Sequence, residues 1–166
     1  MEVEVKELKE QMQITRQLTK AGMEFCEGIL EGQDVVVVRS GVGKVNAAVC
    51  SQTMILKYSP DIMINVGVAG GLSEEFKIGD IAVADSVVEH DMDTSPIGDP
   101  VGLISGINLV NIPCDKKLAD LMEQAVSKVG TITSKRGVIA SGDQFISKQE
   151  QRDRICLLYT SPSPRD

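Results

Sequence analysis

Four consecutive valines, Val35–Val38, run through Arg39 into Ser-Gly-Val-Gly and then into a helical pattern over Lys44–Tyr58. This junction constrains the fold more than any other feature. A β-branched run reads as a strand, and a helix starting so soon afterwards leaves room only for a tight glycine turn. Joins of this kind, repeated along a chain, define an α/β domain rather than a helical bundle or an all-β sandwich. Pro60 closes the helix, because proline cannot continue one.

The rest of the sequence keeps the alternation. Met1–Gln13 reads as a helix, with Val5, Leu8 and Met12 at helical spacing. Ile14–Leu18, Met23–Leu30 and Val35–Arg39 read as three strands of an antiparallel meander, joined by Lys-Ala-Gly and Glu-Gly-Gln-Asp turns. Ile62–Val68 and Asp80–Glu89 read as further strands. Asp115 is placed to cap a helix over Lys116–Val129, whose stripe of Leu118, Leu121, Met122, Ala125, Val126 and Val129 is expected to face a core. Ile132–Ala140 returns as a strand, and a last helix begins at Ser147. The expected architecture is a single α/β domain with a largely parallel or mixed sheet.

With 166 residues the chain can bury a real core. A formal charge of −7 argues against nucleic acid or an anionic membrane as partner, since both call for basic patches. Cys26, Cys50, Cys114 and Cys156 are scattered without a Cys-x-x-Cys pair, the pattern of reduced thiols in a cytoplasmic protein.

The glycine turn, Ser40–Ala48 (SGVGKVNAA), invites a phosphate reading and resists it. A triphosphate loop needs a hydroxyl after Gly-Lys to hold magnesium, and Val45 stands there; Val38 occupies the place of its first glycine. The dinucleotide pattern fails at Asn46, where its third glycine belongs. A turn that lets backbone amides approach something small remains, beside a purely conformational role for the glycines. Two other stretches follow strands. Asn65–Leu72 (NVGVAGGL) would let a flat ring lie against bare backbone. Ser141–Ile146 (SGDQFI) carries one of three phenylalanines in a chain without tryptophan, an aromatic that could stack on a planar base or simply fill core. His90, Asp91 and Asp93 lack metal-ligand spacing and read as a solvated strand end. Glu2 and Glu4 read first as complements to a helix dipole.

Taken in order, MEVEV, SGVGKVNAA, NVGVAGGL, KIGDI, HDMD and SGDQFI resemble the 5′-methylthioadenosine/S-adenosylhomocysteine nucleosidases of the purine nucleoside phosphorylase superfamily. The likeness runs from Met1 to about Ile155. It implies a three-layer α/β/α fold with a central mixed sheet, incomplete here, and a homodimer touching through Thr94–Gly102. It implies hydrolysis of the N-glycosidic bond with release of adenine, and no cofactor or metal. Carried across, Glu4 matches the base that activates water. Met1 and Val42 match positions near the alkylthio-ribose, and Val68, Ala69 and Gly70 the wall around ribose and purine. Phe145 matches the residue stacked on adenine, and the Ile146 backbone the groups that read its edge.

The departures are as informative. A first strand before Met1, a downstream Met-Glu pair gripping the ribose, and a Ser-Asp…Asp segment bearing the general acid lie outside this sequence. Ile97 and Asp99 stand where better-known members carry aromatics. Residues 156–166, with Ser-Pro-Ser-Pro, are similar to translated sequencing-adaptor sequence and are expected to be a non-native tail. The expected result is a fragment with little or no activity of its own. The alternatives are a nucleoside phosphorylase or futalosine hydrolase of the same superfamily, or a non-catalytic purine-binding protein.

Overall fold

The structure, a computed structural model, describes residues 2–72 and 76–159. Met1, named above for the ribose site, lies outside the described residues. The chain divides into two compact units, residues 1–69 and 70–166.

The first unit holds α1 (Glu2–Gln11), the strands β1 (Gln13–Lys20), β2 (Met23–Leu30) and β3 (Gln33–Val38), and α2 (Lys44–Tyr58). The strands form an antiparallel sheet in the order β1-β2-β3. Central β2 buries consecutive residues, Phe25 and Cys26, both at 0% exposure, which requires cover on both faces. On one face Met23 and Phe25 meet Cys50, Met54 and Tyr58 of α2. On the other, Met12 lies over Gly28, where an added methyl would meet its Cε at 2.8 Å. The face that α2 turns to the sheet is therefore the Cys50–Met54–Tyr58 row, spaced four residues apart. Val45, Val49 and Leu56 of the same helix are exposed. The helix ends at Ser59, in the left-handed region at φ 46°, and Pro60 follows as expected.

The second unit contains β4 (Ile81–Glu89), β5 (Ile112–Pro113), α3 (Lys116–Val129), β6 (Ser134–Ser141) and α4 (Gln149–Tyr159). Its sheet runs β5-β4-β6, with β4 antiparallel to β5 and parallel to β6 from Ile81↔Ser134 to Glu89↔Ser141, so it is mixed. Asp115 caps α3 as read, its Oδ1 accepting from the Leu118 amide at 2.9 Å. The buried face of α3 is carried by Ala119 and Val126, while Leu121 and Val129 of the expected stripe are each 58% exposed. Helix α4 continues past Ile155 to Tyr159.

One expected strand is missing. Residues 61–72 carry no strand or helix, and Ile62, Met63, Ile64, Val66 and Val68 are all exposed. An apolar, β-branched run has the propensity for a strand, but a strand exists only through a hydrogen-bonded neighbour. Within the described residues none pairs with this one.

Candidate functional site

In the first unit, α1 brings Glu4 to the run 62–68. The Val68 amide donates to Glu4 Oε1 at 3.0 Å, joining residues 64 apart in sequence. Beside this contact lies a cleft of about 180 Å³ lined by Glu4, Val36–Val38, Ser40, Gly41, Ile64 and Asn65. Whole small-molecule sites usually occupy about 300–1,000 Å³, so the cleft suits a sugar-sized group. It opens at the carboxyl end of β3, where α/β sheets place their ligands. The turn that follows holds Gly41 at φ +86° and Gly43 at φ +93°, a region that a side chain would strain. Asn46 steadies it by donating to the Val42 carbonyl at 2.6 Å. No side chain caps α2 at Gly43. Val42 and Val68 point largely into solvent, at 88% and 77% exposure. Ala69 is exposed as well.

The second unit carries the remaining expected residues. Phe145 and Ile146 follow the carboxyl end of β6, which is paired in parallel with β4. Phe145 is 91% exposed, so it fills no core; Ile146 is half-buried. Among the described residues an added methyl at Gly70 would meet no atom within 4 Å, and the next carbonyl, that of Gly71, accepts from Arg152 of α4 at 2.9 Å.

Beyond the end of β4 the structure corrects the sequence reading. His90 is buried at 9% exposure rather than solvated, and its amide donates to the Ser141 carbonyl at 3.0 Å. Asp91 Oδ2 accepts from the Asp143 amide at 2.7 Å. Asp93 accepts from the Ser95 amide at 3.0 Å and from Arg154 at 3.3 Å, contacts that hold its carboxyl below the usual range, with the Ser95 bonds the larger cause. Among the described residues no group of three or more His, Cys, Asp or Glu could hold a metal ion.

A larger cavity, about 490 Å³, lies elsewhere in this unit and none of the expected residues line it. Its charged groups pair with one another. Arg136 bonds Asp85 at 3.1 Å, Glu123 at 2.8 Å, and Asp120 as well, so one guanidinium spends its whole fork on three carboxylates. Lys116 also bonds Asp120, and this is the main reason its carboxyl titrates below the normal range. The cluster ties α3 to β4 and β6, and size alone does not make it the functional site.

A family model described as the phosphorylase superfamily matches residues 1–161, and the chain belongs to that superfamily. The relatives narrow the class. The 5′-methylthioadenosine/S-adenosylhomocysteine nucleosidase of Shewanella halifaxensis is 42% identical over 146 residues, covering 88% of this chain and 63% of that protein. That of Staphylococcus aureus (strain bovine RF122) is 39% identical over 155 residues, covering 93% and 67%. Among solved structures, the nucleosidase of Colwellia psychrerythraea in complex with adenine superposes with a TM-score of 0.91 at 32% identity, covering 97% of this chain and 66% of that one. A futalosine hydrolase of Helicobacter pylori superposes at 0.89 with 29% identity, covering 97% and 69%. Within the superfamily the chain is a member of the 5′-methylthioadenosine/S-adenosylhomocysteine nucleosidase family, with its nucleoside phosphorylase-like α/β fold. It spans 63% of the length of the Shewanella relative.

Proposed function

We propose that the protein containing this chain hydrolyses the N-glycosidic bond of 5′-methylthioadenosine and S-adenosylhomocysteine, releasing adenine, as a step of methionine salvage. The observation that carries the reading is the Glu4–Val68 bond, which joins two residues that the sequence linked to one site. A carboxylate with one oxygen anchored by a backbone amide is oriented to take a proton from water. That water adds to the sugar carbon as the bond to the base breaks and positive charge builds on the ribose. Adenine then leaves with a proton supplied by a general acid. In this reading Phe145 stacks on the base, Ile146 reads its edge through the backbone, and Val42, Val68, Ala69 and Gly70 line the sugar and purine, with Met1 beside the alkylthio group.

The chain spans 63% of the length of the Shewanella relative, and by itself it is expected to release adenine slowly or not at all. Expression from a gene extended through both ends of the reading frame tests the proposal. Hydrolysis of methylthioadenosine should be independent of added phosphate, faster than that of futalosine, and reduced about 10²–10⁴-fold in Glu4→Gln. Phosphate dependence would favour a phosphorylase, and preference for futalosine would favour the hydrolase whose fold is nearly as similar. Unchanged activity in Glu4→Gln would remove the assigned base.

Three further readings belong to the proposal. A second copy is expected against Thr94–Gly102, where Ile97 is 81% exposed; sedimentation of the extended protein as a monomer would exclude it. A cytoplasmic location is supported by four cysteines that are all free thiols. Residues 156–166 are read as a tail foreign to the gene, although regular helix reaches Tyr159 and the family match reaches residue 161. A resequenced frame that truly ends in SPSPRD would retire that boundary.

A further inference from the structure

The parallel pair β4–β6 ends at Glu89 and Ser141, and the two segments that leave it are fastened to each other. The His90 amide donates to the Ser141 carbonyl at 3.0 Å, extending the ladder by one bond. One residue further, Asp91 Oδ2 accepts from the Asp143 amide at 2.7 Å. Between these bonds sits Gly142, in close contact with the β4 side: a methyl in place of its hydrogen would lie 2.5 Å from His90 Nε2, 2.8 Å from His90 Cε1 and 2.9 Å from Asp91 Cγ. Three consecutive residues, the last of β6 and the first two of the loop, are thus held against two consecutive residues beyond β4. Phe145 stands two residues after Asp143 and is 91% exposed, so the backbone leading to it, rather than burial of its ring, sets where it stands.

We propose that Asp91 is a positioning residue for adenine: by holding the Asp143 amide it fixes the direction in which the loop carries Phe145 and the Ile146 backbone. The inference rests on the reading of Phe145 and Ile146 as the base-recognising residues. The physical reason is that an exposed aromatic offers a stacking platform only if its backbone is already in place. Otherwise the loop must be ordered when the ligand binds, and that ordering weakens affinity. A bond from a backbone amide to a carboxylate is among the stronger hydrogen bonds available for the purpose. Gly142 keeps this approach close, because a methyl there would have to displace the His90 ring, the Asp91 carboxyl or the loop itself.

The test combines a ligand-free readout with adenine binding, using the whole chain. In Asp91→Ala, hydrogen exchange at the Asp143 amide should speed up about 10- to 100-fold with the global melting temperature nearly unchanged. The adenine dissociation constant, from calorimetric titration, should rise about 10-fold. Asp91→Asn retains an oxygen that can accept from the Asp143 amide, and it should recover most of both losses. Gly142→Ala keeps the carboxylate but crowds it and the His90 ring, and it should weaken adenine binding as Asp91→Ala does. Phe145→Ala separates the inference from the reading beneath it. If Phe145→Ala weakens binding while Asp91→Ala does not, the positioning role is overturned and the base site stands. If adenine does not bind the unaltered chain, or binds Phe145→Ala equally well, the reading fails and the inference with it. Failure of Asp91→Asn to rescue would show that the carboxylate acts in some way other than by holding the amide, and would also overturn it.

Discussion

Two apolar runs in the first unit, Met23–Leu30 and Ile62–Val68, look alike as sequence and end differently. The first is the central strand of a meander, bonded to β1 and β3 along both edges, with Phe25 and Cys26 fully buried. The second carries Ile62, Ile64, Val66 and Val68 at 55–77% exposure and belongs to no sheet. Both have the composition of a strand. They differ in neighbours. Two tight turns, at Ala21-Gly22 and Glu31-Gly32, fold the partners of the first run onto it within a few residues. Among the described residues no such local partner exists for the second, which is tied in this unit by the bond from the Val68 amide to Glu4. Strand propensity is a property of a segment; a strand is a property of a pair.

The sharpest way to break this comparison is truncation on each side of it. Phe25→Ala removes a ring packed against Tyr58 at 6.0 Å between centroids and leaves a cavity under α2, which should cost about 3–5 kcal/mol of unfolding free energy. Ile64→Ala, on the unpaired run, should change it by less than about 0.5 kcal/mol. Urea titrations of the two variants give both numbers. A large loss in Ile64→Ala would mean that the run is packed in solution. The opposite kind of change sharpens the same point. Gly28 lies so close to the Gln13 carbonyl and to Met12 Cε that a methyl must displace both, so Gly28→Ala should cost about 1–3 kcal/mol. A neutral result would mean that the second face of β2 is looser than its burial indicates.

What the sequence revealed follows the same division. Elements defined within a few residues were legible: the meander through its turns, α2 through the glycine turn and Pro60, and α3 through Asp115. Features that depend on distant partners were not. The exposure of 62–68 depends on which strands lie beside it. The burial of His90 depends on the loop after β6, some 50 residues on, and no local pattern announces it. The choice of Cys50, Met54 and Tyr58 over Val45 and Leu56 as the inner side of α2 depends on where β2 presents Phe25. Of the candidate site, the glycine turn was legible as a turn, but Glu4 and Val68 were linked only by resemblance to a family. Asp91 was visible only as part of a polar strand end; a carboxylate just past one parallel strand and a glycine just past its neighbour were the signal that could have been used.

A local element should also respond locally. Asp115→Ala removes the cap of α3 and leaves the Leu118 amide without its side-chain acceptor, a change worth about 1 kcal/mol. Because the bond spans three residues, the loss should appear as fraying of the first turn, read as faster amide exchange at residues 116–119 with the mixed sheet unaffected. Equal acceleration along β4 and β6 would show that the helix start is coupled to the sheet, and that even this legible feature is not independent.

The smallest effect lies where the meander meets α2. Glu27 on β2 accepts from Lys57 at 3.1 Å and from Tyr58 at 3.0 Å, and its carboxyl is held below its ordinary value of 4.5, the Lys57 bond being the largest cause. A carboxylate whose pKa is lowered by folding binds protons more readily when unfolded. Its contribution is therefore fully present above about pH 4.5 and is lost as pH falls through the lower folded value. Solvent reaches the pair, so the contribution is small. In a comparison of unfolding free energies at pH 6 and pH 3, Lys57→Met should lose less on acidification than the unaltered chain. An equal loss in both would place the acid sensitivity elsewhere, and would leave the Tyr58 bond to Glu27 and the packing around Phe25 and Cys50 to join helix to sheet.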